Sequence, residues 1–136
     1  MQILVVDDEL VSRKKMQKIM EGLGECAAAA NGGDALNLFE QALKSGTPFD
    51  LVTLDVVMPV MDGTEVLYRI REMEKQGHRP KEKRTKILMV TAQSDKDTVI
   101  TCIQAQCDDY IVKPFNREKV MNKINKFKDL MGVGLS

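Results

Sequence analysis

Apolar runs too short to be helices alternate along this chain with apolar residues at helical spacing, and the alternation repeats five times. The runs fall at residues 2–6, 25–29, 51–54, 86–90 and 110–112. Between them, Met16, Ile19, Met20 and Leu23 share one helical face. Ala35, Leu36, Phe39, Ala42 and Leu43 form a second stripe, and Val66, Leu67, Ile70 and Met73 a third. The fourth stripe is narrow, with Val99, Cys102 and Ile103 directed inward. The last carries Val120, Met121, Ile124, Phe127 and Met131. Strands that are apolar on both faces and separated by helices require a parallel sheet covered on both sides. The expected fold class is therefore α/β, a doubly wound five-stranded parallel sheet with five helices. Right-handed crossovers restrict its topology further.

Punctuation agrees with this order. Gly22 or Gly24 closes the first helix, Asn31 caps the second, and Gly46-Thr47-Pro48 ends it. Ser94 followed by Asp97 resembles a capping box for the fourth helix, and Asn116 caps the last. Residues 74–86, reading EKQGHRPKEKRTK, are expected to form a solvated loop with a basic excess, and the lone His78 within it to be a surface residue. No linker or repeat divides the chain, so residues 1–131 are expected to form one domain and 132–136 a short tail, with no room for an output domain after it.

The 20 basic and 20 acidic residues cancel, so no global field draws the chain to nucleic acid or to an anionic membrane. Its three cysteines are odd in number and lack metal-ligand spacing, which fits free thiols in a reducing compartment. No apolar run approaches the ~20 residues that span a bilayer, and a strand pattern begins at once without a signal-like segment. A cytoplasmic location is the expectation.

Function is written at the strand ends. Asp7 and Asp8 follow the first strand, Asp55 ends the third, Thr91 the fourth, and Lys113 follows the fifth. In a parallel sheet all of these lie at the carboxyl rim, where ligands bind. Three carboxylates brought together would repel unless a divalent cation sat among them. Mg2+ suits one or two carboxylates plus waters and a phosphate oxygen, and Mn2+ can substitute. Asp55 stands alone on the central strand, so it can be a nucleophile toward phosphorus as well as a metal ligand. Lys113, the Thr91 hydroxyl and a backbone N–H would neutralise the remaining phosphoryl oxygens, and the small Ala92 would leave room for them. Singly, each residue has an ordinary structural use as a cap, a turn or a surface lysine; together they do not.

The set Asp7-Asp8, Asp55 with Met58-Pro59 and Met61-Asp62-Gly63, Thr91-Ala92 and Lys113-Pro114-Phe115 resembles the receiver domain of two-component response regulators. The resemblance runs from Ile3 to about Met131. It implies the flavodoxin-like strand order 2-1-3-4-5, with Asp55 as phospho-acceptor and a histidine kinase or phosphotransfer protein as donor. It implies that Asp8, Asp55 and the Val57 carbonyl bind Mg2+ directly, that Asp7 acts mainly through a coordinated water, and that the peptide before Pro114 is cis. It also implies a switch: Thr91 moves toward the phosphate, Tyr110 turns inward behind it, and the face of fourth helix, fifth strand and fifth helix changes its affinity for a protein target. A monomer or a phosphorylation-dependent dimer is compatible with this.

The chain departs from the family pattern at Val57, which is apolar where many receivers carry a polar side chain near the hydrolytic water; Gln93 is then expected to set the phospho-lifetime. Gln106 stands where a glycine is usual, so a left-handed cap there would be strained. Two other readings compete. A Mg2+-dependent phosphohydrolase would want an acid two residues after its nucleophile, where Val57 stands. A flavin carrier would want a hydroxyl- and glycine-rich phosphate loop, where Asp7-Asp8-Glu9 stands.

Overall fold

Val, Ile and Leu crowd the short strands, and the two neighbours of each residue along a strand point to the opposite helical layer. The computed structural model describes residues 1–92 and 96–130. The strands are β1 (Gln2–Val6), β2 (Glu25–Ala29), β3 (Leu51–Asp55), β4 (Lys86–Thr91) and β5 (Asp109–Val112). The helices are α1 (Leu10–Glu21), α2 (Gly32–Lys44), α3 (Gly63–Gln76), α4 (Lys96–Gln104) and α5 (Arg117–Leu130). All strand pairs are parallel, and the order is β2-β1-β3-β4-β5. This is the flavodoxin-like order. The chain reverses direction across the sheet between β1 and β3, which lie side by side with Val6 opposite Leu54.

The alternation divides the core in two. Ile3, Val5, Leu88, Val90 and Ile111 pack with Met16, Ile19 and Met20 of α1 and Val120, Ile124 and Phe127 of α5. Leu4, Val6, Val52, Leu54, Ile87 and Met89 pack with residues of α2 and α3 and with Cys102 of α4. The central strand β3 is buried throughout, whereas the alanine-rich edge strand β2 is mostly half-buried.

Local chemistry fixes the helix ends. The Asn31 side chain accepts from the Asp34 N–H (2.8 Å), Asp62 from the Glu65 N–H (3.0 Å) and Asn116 from the Lys119 N–H (2.8 Å). Gly22 is the residue that closes α1. Helix α4 ends with Gln106 in the left-handed region (φ 71°). There Gln106 N–H donates to the Ile103 carbonyl and Cys107 N–H to the Cys102 carbonyl, each at 3.0 Å. That is the Schellman pattern, built without glycine. The Ser94 capping box lies outside the described residues, as does Met131.

Two expectations need correction. Ile103 is 60% exposed and Cys102 is the buried residue of α4, so the helix presents Ile103 outward. Residues 74–86 are not simply a solvated loop. Helix α3 runs on to Gln76, and Glu74 is fully buried. Its carboxylate binds Arg71 (2.6 Å), Arg79 (2.9 Å) and the Thr85 N–H (2.7 Å), while the Thr85 hydroxyl donates to the Phe49 carbonyl at 2.6 Å. A 3-10 turn, Lys81–Lys83, follows Pro80. The segment folds back because a buried carboxylate must be matched by charge and hydrogen bonds. His78 is exposed, with φ 55°.

Candidate functional site

Residues that leave β1, β3, β4 and β5 at their carboxyl ends meet at one rim. Asp7 and Asp55 are each 4% exposed, and Asp8 faces solvent. Carboxylate oxygens of Asp7, Asp8 and Asp55 all lie within 4.8 Å of one another. Asp7 is held by its surroundings: its N–H donates to the Ala29 carbonyl (3.2 Å), and its Oδ1 accepts from the Glu9 N–H (2.9 Å). Arg13 Nη1 donates to the Asp7 carbonyl at 2.9 Å.

Lys113 reaches into this cluster from beyond β5. Its Nζ lies 3.2 Å from Asp7 Oδ2, 3.4 Å from Glu9 Oε1 and 3.5 Å from Asp55 Oδ2. Its backbone N–H donates to the Thr91 carbonyl (2.7 Å), which ties the fifth strand end to the fourth. The Lys113–Pro114 peptide is cis. Behind it, Phe115 is buried, and its carbonyl accepts a hydrogen bond from Lys15 of α1, whose ammonium also lies 4.8 Å from the Phe115 ring centre. Thr91 is buried at the end of β4 and Ala92 beside it is exposed.

The loop after Asp55 is pressed against the end of β3. Val56 N–H donates to the Val90 carbonyl (2.9 Å) and Gly63 N–H to the Val56 carbonyl (2.7 Å). A Cβ at Gly63 would lie 2.1 Å from the Asp55 carbonyl oxygen, so only glycine allows this approach. Met58 is buried, whereas the Val57 side chain is 69% exposed and Val60 is fully exposed with φ 70°. Left-handed backbone at a β-branched residue is strained.

Electrostatics follow from crowding. Burial, then the charge of Asp7, push the Asp55 carboxyl up to about 7 from 3.8, with Lys113 opposing. For Lys113, burial works to lower the ammonium, but the charges of Asp55 and Asp7 and hydrogen bonds to Asp7 and Glu9 prevail, so it is raised. Glu9 is lowered by the Ser12 hydroxyl and by Lys113. The rim therefore holds a surplus of negative charge, with one carboxyl inclined to keep its proton and one ammonium shared among three acids. The donors are all hard oxygens, the type that Mg2+ and Ca2+ prefer.

Of the residues singled out in the sequence, Asp7, Asp8, Asp55 and Lys113 come together, with Thr91 and Ala92 at the adjoining strand end. Tyr110 is half-buried against the core, and the Lys123 ammonium lies 5.7 Å from its ring centre. Gln93 lies outside the described residues. Three participants were not assigned a role by sequence reasoning: Glu9, Arg13 and Lys15. Glu9 sat in plain view beside the acid pair. Lys15 and Phe115 are 100 positions apart, and no local pattern links them.

Comparison with known proteins decides the family. The model for the response regulator receiver domain matches residues 3–125. The chain belongs to the response regulator receiver family. As such it is a phospho-accepting signalling module of two-component systems. This receiver is 36% identical over 126 residues to the chemotaxis protein CheY of Bacillus subtilis, covering 91% of this chain and 94% of that protein. It is equally 36% identical over 126 residues to hybrid signal transduction histidine kinase L of Dictyostelium discoideum, covering 92% of this chain and only 7% of that much longer protein. Among solved structures it resembles the CheX-CheY-BeF3-Mg2+ complex from Borrelia burgdorferi, with a TM-score of 0.79 and 28% identity over 92% of this chain and 87% of that one. Among the described residues no helix is long and apolar enough to cross a membrane.

Proposed function

We propose that Asp55 accepts the phosphoryl group and that the receiver thereby switches its binding to a protein target. The observation that carries this reading is the buried Asp55 carboxylate beside Asp7 and the Lys113 ammonium, at the carboxyl ends of the neighbouring strands β1 and β3. In the transfer, an Asp55 oxygen bonds to phosphorus as the phosphorus–nitrogen bond of a donor phosphohistidine breaks. The attacking group is the carboxylate, so Asp55 must first give up its proton. Lys113, already 3.5 Å from Asp55 Oδ2, offers charge to a phosphoryl oxygen, and the Thr91 hydroxyl offers a hydrogen bond to another. Ala92 leaves the space open. These residues catalyse the module's own phosphorylation; the chain needs no external substrate besides the donor.

Three carboxylates with their oxygens within 4.8 Å, one of them facing water, fit Mg2+ or Mn2+ with its hydration partly kept. Asp8, Asp55 and the Val57 carbonyl would hold the ion, with Asp7 acting through a water. When bound, it would supply positive charge to the transferring group and offset the burial and the Asp7 charge that together raise the Asp55 carboxyl.

Exposed apolar side chains rim the acceptor: Leu10 (56%), Val11 (81%), Val57 and Val60. They suit the apolar face of a donor helix on a histidine kinase or phosphotransfer protein. On the α4–β5–α5 side, Ile100 and Ile103 are exposed, which fits a target-binding face coupled to Thr91 and Tyr110. Hydrolysis of the phosphoryl group would be tuned by Gln93 more than by the apolar Val57. Free thiols at Cys26, Cys102 and Cys107 accord with a cytoplasmic location. The receiver is taken to extend over residues 1–131.

Incubation with Mg2+ and acetyl phosphate or phosphoramidate, followed by intact mass, tests the assignment. The wild-type chain should gain one phosphoryl group and Asp55→Asn none. Equal labelling of the variant would refute Asp55 as acceptor.

A further inference from the structure

The opposite, amino-terminal rim of the sheet carries chemistry that phosphoryl acceptance does not use. Residues 79–86, RPKEKRTK, hold five cations and one carboxylate. Arg84 lines two surface cavities of about 500 Å3 each. One of them is bounded also by Arg71, Lys81, Lys86, Gln106 and Asp108.

Of the nearby acids, Glu82 lines only the other cavity, and Glu74, Asp108 and Asp50 are already engaged. Glu74 is matched by Arg71 and Arg79, and Asp108 by Arg71 (2.9 Å), Lys86 (3.7 Å) and the Ile87 N–H (2.7 Å). Asp50 accepts from the Gln2 N–H at 2.7 Å. Arg71, Arg79 and Lys86 are thus partnered, while Lys81 and Arg84 make no ion pair among the described residues. Arg84 Nε is shielded from solvent and has no hydrogen-bond partner. Arg84 as a whole is only half-buried and lines both cavities, so an anion in the groove would meet the accessible part of its side chain rather than Nε. The wall is rigid, because Arg71 Nε also holds the Gln106 carbonyl (2.9 Å) and Arg71 Nη1 the Thr85 carbonyl (2.8 Å).

We propose that this groove binds a phosphate monoester, with Arg84 and Lys81 as its ligands. Two unpaired cations around one anionic group call for a dianion, which a phosphate monoester is near neutral pH and a carboxylate is not. The guanidinium fork offers parallel N–H donors to two phosphate oxygens, and the ammonium adds a point charge. A cavity of about 500 Å3 is of small-molecule size. The phosphate belongs either to a soluble metabolite or to a lipid headgroup.

The test uses the full chain without divalent cations. Amide NMR spectra are followed during titration with glycerol 3-phosphate, and binding to phosphatidylcholine vesicles with and without phosphatidic acid is measured by sedimentation. Saturable shifts at residues 81–86 and 104–108, or binding only to the phosphatidic acid vesicles, are expected, and the arm that responds identifies the source. A dissociation constant below about 1 mM is expected for the responding probe. Arg84→Gln and Lys81→Gln should each weaken it about tenfold, with Arg84→Lys intermediate, while the rest of the spectrum is retained. Absence of saturable binding to both probes overturns the proposal. So do equal affinity for the dicarboxylate malonate, insensitivity to Arg84→Gln, and shifts confined to the acidic rim.

Discussion

Replacing Asp55 by Asn should stabilise the metal-free domain, although it removes the proposed phospho-acceptor. Burial and the Asp7 charge raise the Asp55 carboxyl to about 7 from 3.8. Between those values the native state holds a proton that the unfolded chain has released, so stability falls as pH rises. The cost is absent below about pH 4 and complete above about pH 7. At 1.36 kcal/mol for each pH unit between the two values, the ceiling is about 4 kcal/mol. Lys113 loses one of its three partners in the variant, and Asp8 faces water, so roughly half that, about 2 kcal/mol, is expected at pH 8. Urea denaturation of wild type and variant in EDTA across pH 4 to 8 measures it, and the difference between the two chains cancels the titration of groups remote from the site. Excess Mg2+ should then raise the wild type more than the variant, because the ion binds only the folded cluster. A variant less stable than wild type at pH 8 in EDTA, or a difference that does not change with pH, would refute the reasoning.

Glu74→Ala should cost about 3–5 kcal/mol in urea denaturation, because it strands the Arg71 and Arg79 guanidiniums around an emptied buried position; a loss below about 1 kcal/mol would contradict the network. Val60→Gly should stabilise by about 1 kcal/mol, since a fully exposed side chain loses no packing while positive φ becomes unstrained. Gln106→Gly should gain a similar ~1 kcal/mol, with the Arg71 contact kept because it is made to the backbone carbonyl. Hydrogen exchange should find α4 the least protected helix, as Cys102 is its buried residue against three in α1; protection equal to that of α1 would be inconsistent with this.

The sheet was legible because each strand is a dense apolar run bounded by polar punctuation, and both helical layers need that pattern. Asn31 and Asn116 could be assigned as caps from their place before an apolar stripe. The rim was legible for the same reason: a strand end is a fixed point, and Asp7, Asp8, Asp55, Thr91 and Lys113 all occupy one. What escaped were contacts made by return of the chain. Glu74 looks solvated in a polar run; only the approach of Arg79 and Thr85 reveals a buried acid. Ile103 and Cys102 are adjacent on a nine-residue helix, too short a stripe to say which one turns inward. The clamp of Lys15 on Phe115 depends on α1 passing the loop after β5, which no local spacing encodes.

The Glu74 network gives the molecule a firm end and a restless one. At the amino-terminal rim, the Glu74 and Asp108 carboxylates are matched and locked between α3, β4 and the cap of α4; at the carboxyl rim, like charges are held together against their preference. Tension at a signalling end can be released and restored many times only if something else keeps the body in shape. Heat or mild denaturant should therefore cost this receiver its responsiveness before its architecture, and engineering aimed at the one can leave the other untouched.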